Sequence, residues 1–175
     1  MKPRRITNNK LHFIKLHYKK QNIIKGALIY SAGDTIAALL LDEFVWYRLI
    51  GMMFVGATFY AFEIPNYFDW IVKKTHALNG IKATLTKTLM AIAYFNPLWI
   101  ARHLLFIKLF SGQFEAIGFN LLEIAFWSFL VNIPISFMAN YIIQNRFKLK
   151  WRFLGSAIFS ALMAIYYALS ETIFS

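Results

Sequence analysis

Five stretches of this chain stay apolar for about as long as a helix needs to cross the roughly 30 Å of hydrocarbon in a bilayer. They run from Ile23 to Leu41, Trp46 to Val72, Thr88 to Phe110, Ile117 to Ile143, and Phe153 to Phe174. Only short loops fit between them. The sequence therefore predicts an all-α integral membrane bundle of about five transmembrane helices over 23–174, preceded by a basic cytoplasmic-side segment over 1–22, with no room for a second domain. Composition points the same way. Of the 175 residues 59% are hydrophobic and only 15% are charged, against roughly a quarter charged in an ordinary soluble domain.

A buried helical bundle in a water-soluble protein would share these stretches, so the loops decide between the two. Sixteen of the 19 Lys and Arg fall in or beside alternate loops: Lys2 through Lys20 before the first stretch with Lys25 at its start, then Lys73, Lys74, Lys82 and Lys87, then Arg146, Lys148, Lys150 and Arg152. The other loops carry Asp42, Glu43 and Glu115, and the C-terminal tail carries Glu171. This alternation is the positive-inside pattern of a multi-span membrane protein, with the N-terminus inside and the C-terminus outside. A soluble bundle has no reason to sort its charges so. The net charge of +11 is accordingly expected to meet anionic headgroups on the basic side, each cation adding about 1 kcal/mol of attraction, and no nucleic acid. The acid-free start of the chain also fits an organelle transit segment, but it lacks the Ser and Ala richness of one. The host is expected to be a bacterial cytoplasmic membrane, or an organelle membrane in a eukaryote.

Charged groups at membrane depth cost several kcal/mol unless paired or wet, which makes them the informative positions. Asp34, Glu63, Arg102, His103 and Glu123 are the transport or pore candidates, with Asn132 beside Glu123 in the same stretch. Lys25, Arg48, Lys108 and Asp69 lie near the ends of their stretches and are expected to snorkel to the interface. Three carboxylates against one Arg and one His leave an excess of acid. Two accounts stay open: Arg102 neutralises one carboxylate and fixes helix register, or these groups line a cation-tolerant or proton-coupled path. Pro65, Pro97 and Pro134 interrupt backbone hydrogen bonding inside or near the end of a stretch, as a cavity would tolerate.

Enzyme signatures are missing. There is no GxSxG, HExxH or Walker loop, the four His stand at no metal-ligand spacing, and cysteine is absent. No catalytic residue, metal or cofactor is expected.

The run "GALIYSAGD" followed by "YRLIGMMFVG" resembles the family of small membrane proteins typified by the mitochondrial inner-membrane protein Mpv and the peroxisomal membrane protein PMP. Gly33 and Asp34 match its Gly-Asp, Arg48 its Arg and Gly56 its Gly, while Tyr67 and Phe68 stand at its Trp-Tyr pair. Lys87, Phe95 and Pro97 match its Lys and Phe-x-Pro, and Arg152 and Tyr166 keep the spacing of an Arg and a Tyr in its last span. Where the family has Asp-Gln ahead of Phe-x-Pro, this chain has Ala91 and Ile92. The resemblance implies a non-enzymatic, channel-like membrane protein for small solutes of no fixed identity. Tyr67 to Trp70, "YFDW", and Pro134 to Phe147 are similar instead to the bacterial L-alanine exporter family, which implies a proton-coupled amino-acid exporter. A membrane scaffold or assembly protein is the non-transporting alternative, and a homo-oligomer is among the expected partners on any of these readings.

Overall fold

The computed structural model describes residues 16–174, with side chains as far as Tyr166. The basic residues Lys2 to Lys15 and the Glu171 side chain lie outside this range. All regular structure among the described residues is helical: α1 (Lys20–Leu40), α2 (Trp46–Val55), α3 (Ala61–Lys74), α4 (Gly80–Tyr94), α5 (Pro97–Phe110), α6 (Asn120–Asn145) and α7 (Leu149–Phe174).

Local chemistry sets the boundaries. Past the end of α1, Asp42 takes a left-handed backbone with φ of 56°, a conformation Asp tolerates better than most residues, and the Glu43 N–H returns to the Ala38 carbonyl at 2.8 Å. Helices α2 and α3 are joined without a break by a π turn over Gly56–Tyr60. Pro97 disfavours helix in the residue before it, so α4 stops at Tyr94 and the chain restarts as α5. Pro97 takes the first turn, and the Asn96 side chain caps it by accepting from the Trp99 N–H at 3.1 Å. The single helix expected over Thr88 to Phe110 is therefore two shorter ones with an irregular step at Phe95 and Asn96, and the first begins at Gly80.

Two crossings bring backbones into contact. A methyl group built on Gly26 of α1 would lie 2.1 Å from the Gly56 carbonyl oxygen, and one on Gly56 would lie 2.3 Å from that of Gly26. At Gly33, farther along α1, the same addition would strike Ala161 of α7 at 2.6 Å. Helix α1 thus sits between the π turn and α7, while α4 and α5 both pack along α6, and α6 pairs with α7. The apolar core between them holds Tyr30, Met52, Tyr60, Ile64, Phe68 and Ile100.

Charges separate along the bundle. At one end Lys25 lies over the Trp151 ring at 5.5 Å, and His17 reaches Asp69 at 3.5 Å, so the starts of α1 and α7 meet the second half of α3. Asp42, Glu43 and Glu115 belong to the loops at the other end. The outer surface between is oily: Leu39, Tyr47, Ile50, Leu130, Val131 and Met138 are all exposed. Such a surface is at home in lipid rather than water. Among the described residues three helical lengths are long and apolar enough to cross a membrane, Lys20–Leu40, Gly80–Phe110 and Asn120–Asn145. The chain is an all-helical protein with the features of a membrane protein.

Candidate functional site: a polar centre in an apolar bundle

Asp34 sits on the inner face of α1, and its partner is Arg48 of α2. The guanidinium donates from Nε to Oδ2 and from Nη2 to Oδ1, both at 2.9 Å, with the two side chains 1% and 2% exposed. A third bond runs from Arg48 Nη1 to Glu43 Oε2 at 3.4 Å. Arg48 therefore does not snorkel. Its position at the start of α2 places it one short loop from the end of α1, and a planar fork matched to a carboxylate makes the strongest pair available there. Lys108 is buried too, donating to Gln113 Oε1 at 2.9 Å.

A second pair lies at mid-height. Arg102 of α5 donates to Glu63 of α3 from Nη1 to Oε1 at 3.0 Å and from Nη2 to Oε2 at 2.7 Å, and Tyr94 Oη donates to the same Oε2 at 2.7 Å. This pair is not sealed. Glu63 is 29% and Arg102 32% exposed, and both line an open groove of about 380 Å³ with Tyr67, Tyr94, Asn96 and Trp99. The groove sits on the irregular step between α4 and α5. Inward of it, His103 stacks on Trp99 with ring centres 5.7 Å apart and meets Tyr60 Oη at 3.0 Å through Nδ1. Tyr60 packs against Tyr30 at 4.6 Å, and Tyr30 Oη donates to Ser160 Oγ of α7 at 3.4 Å. Polar groups therefore run from the groove across the bundle to α7.

Glu123 joins neither pair. It is exposed in the first turn of α6, where an acid is favoured by the free N–H groups of the helix start. Its expected place at membrane depth is thus corrected to the rim of the acidic end. With Asp34 and Glu63 each matched to an arginine, the excess of interior acid disappears, and the cation-tolerant account loses its basis.

The positions that carried the family resemblance fall largely on helix contacts. Gly33, Asp34, Arg48 and Gly56 make the crossings and the buried pair described above. Tyr67 Oη donates to the Met90 carbonyl at 2.7 Å, Phe68 is buried, Lys87 is half-buried, and Phe95 meets the Trp99 ring at 5.0 Å beside Pro97. Arg152 donates to Gln144 Oε1 at 3.2 Å and to the Phe147 carbonyl at 3.3 Å. Tyr166 Oη donates to the Ser128 carbonyl at 2.9 Å.

A row of polar residues on α6 was not foreseen beyond Asn132. Ser128, Asn132, Ser136, Asn140 and Gln144 are all buried, four residues apart. Four of their atoms, Ser128 Oγ, Asn132 Oδ1, Asn140 Oδ1 and Gln144 Nε2, have no hydrogen-bond partner. Each such orphan costs about 1–3 kcal/mol when dry. The signal was present in the sequence as a strict period of four, which traces a ridge that winds about 40° around the helix at each step. Among the described residues no group of three or more His, Asp or Glu gathers as metal ligands would. Comparison of the chain with family models, with curated proteins and with solved structures gave no match.

Proposed function

We propose that this chain is a multi-pass integral membrane protein that moves small solutes, with five passes (α1, α2–α3, α4–α5, α6 and α7) crossing the bilayer and the basic end on the inner face. It acts without catalysis or cofactor. The observation that carries this reading is the half-open Glu63–Arg102 pair on a helix interruption. Irregular backbone and an accessible ion pair at membrane depth are tolerated where they line a cavity used by a solute. The resemblance to the Mpv and PMP family supports the same reading. In proteoliposomes the protein is expected to move small solutes well above protein-free vesicles, with Glu63→Gln and Arg102→Gln each lowering the rate about tenfold. Flux equal to empty vesicles would remove the proposal and favour the scaffold.

A second reading rests on the same groove. A carboxylate beside a guanidinium complements the ammonium and carboxylate of a zwitterion, which suits an amino-acid exporter. Labelled L-alanine included among the solutes separates the two readings: selective movement of alanine supports the exporter, and indifference to it supports the general conduit.

A further inference from the structure

We propose that the buried row on α6 holds a continuous file of water and is the route by which small neutral, hydrogen-bonding solutes pass, with cations turned away. The inference rests on the transport reading and gives neutral solutes a route of their own, apart from the Glu63–Arg102 groove.

The row runs along the helix from Ser128 to Gln144, about 24 Å at 1.5 Å per residue, most of the thickness of a hydrocarbon core. Consecutive members rise about 6 Å along the axis, and where no direct bond joins them one or two waters bridge the step. The Asn132 amide donates to Ser136 Oγ at 2.8 Å and the Asn140 amide to the Ser136 carbonyl at 2.9 Å. That leaves both amide oxygens open; turning Asn132 over would only exchange which atom is open, and the carbonyl partner of Asn140, which can only accept, fixes its amide as described. In lipid, water is the one small partner that can serve such atoms.

Helix α7 supplies the facing wall. Arg152 meets Gln144 at one end and Tyr166 meets Ser128 at the other, which fixes an antiparallel register. It puts Ser156 level with Asn140 and Ser160 level with Ser136, and both serines are buried. Among the described residues the side chains along the two rows are hydroxyls and amides without a carboxylate, and Arg152 bonds Gln144 at the basic end. A neutral lining offers a hydrated cation nothing in exchange for its water, and the guanidinium adds repulsion at the mouth. Urea-like solutes can trade their water bonds for those of the row.

The chain has no cysteine, so single substitutions are clean probes. Ser128→Cys, Ser136→Cys, Ser156→Cys and Ser160→Cys keep side-chain volume. Radiolysis of internal water generates hydroxyl radicals on the spot, so a thiol beside the file is oxidised without any reagent having to enter. Mass spectrometry of the irradiated protein in bilayers is expected to show oxidation at least fivefold faster at these four sites than at Leu130→Cys, Ile135→Cys and Met138→Cys on the outer face. Equally slow oxidation on both faces overturns the water file, whatever the fluxes show. In swelling assays, Asn132→Leu with Asn140→Leu is expected to cut urea entry at least fivefold in protein that stays monodisperse. A protein that carries other solutes but not urea, or that admits urea equally with both leucines, overturns the route while the transport reading stands.

Discussion

Asp34 is tolerated inside the bundle because two parallel hydrogen bonds from Arg48 neutralise it where neither side chain meets solvent. Removing one partner strands the other, a loss of about 3–5 kcal/mol for a buried pair. Asp34→Asn and Arg48→Gln are each expected to lower the unfolding midpoint in detergent sharply, and the double variant to regain part of it. If the double variant is as unstable as the sum of the singles, the pair is not coupled. Glu123→Gln is expected to leave stability within about 0.5 kcal/mol, as at other exposed positions, and solute flux unchanged. The sequence marked Asp34 as anomalous but not its partner. Arg48 follows Asp34 by 14 residues across a turn whose geometry depends on the left-handed Asp42, and nothing in the spacing reveals that the two helix ends face one another. Glu63 and Arg102 were both visible as charges at depth, yet their pairing across 39 residues is a matter of tertiary packing.

At the scale of helices, the glycines and the proline break set the architecture. Gly26 and Gly56 meet backbone to backbone, so Gly26→Leu or Gly56→Leu is expected to abolish monodisperse protein in size-exclusion chromatography, and a normal elution profile would mean α1 and the π turn are farther apart than described. The Asn96 cap is a smaller matter. Asn96→Ala should cost about 1 kcal/mol, read as a modest fall in melting temperature. Helix type and most boundaries were legible from apolar length alone, within a few residues for α1, α6 and α7. The π turn was not, because "GATFY" carries no breaker and the bulge follows from the close crossing at Gly56. The polar row escaped notice for another reason: Ser and Asn look innocuous singly in a 26-residue apolar helix, and only their period joins them into one ridge.

For the molecule as a whole, charge sorting makes the sharpest claim. With no cysteine in the chain, Lys74→Cys and Lys148→Cys should react with an impermeant maleimide from one side of sealed vesicles, and Glu43→Cys and Glu115→Cys from the other. Labelling of Lys74→Cys and Lys148→Cys from opposite sides would defeat the five-pass arrangement. Helix lengths add a consequence of their own. Helix α1, with 21 residues, is about 31 Å long, whereas α6 and α7, with 26 each, reach about 39 Å. The longer two must lean or protrude where the shorter one fits upright. Clasped to each other at Arg152 and at Tyr166, and with α7 seated on α1 at Gly33, they tilt together, so thinning the bilayer should load the Gly33–Ala161 crossing first.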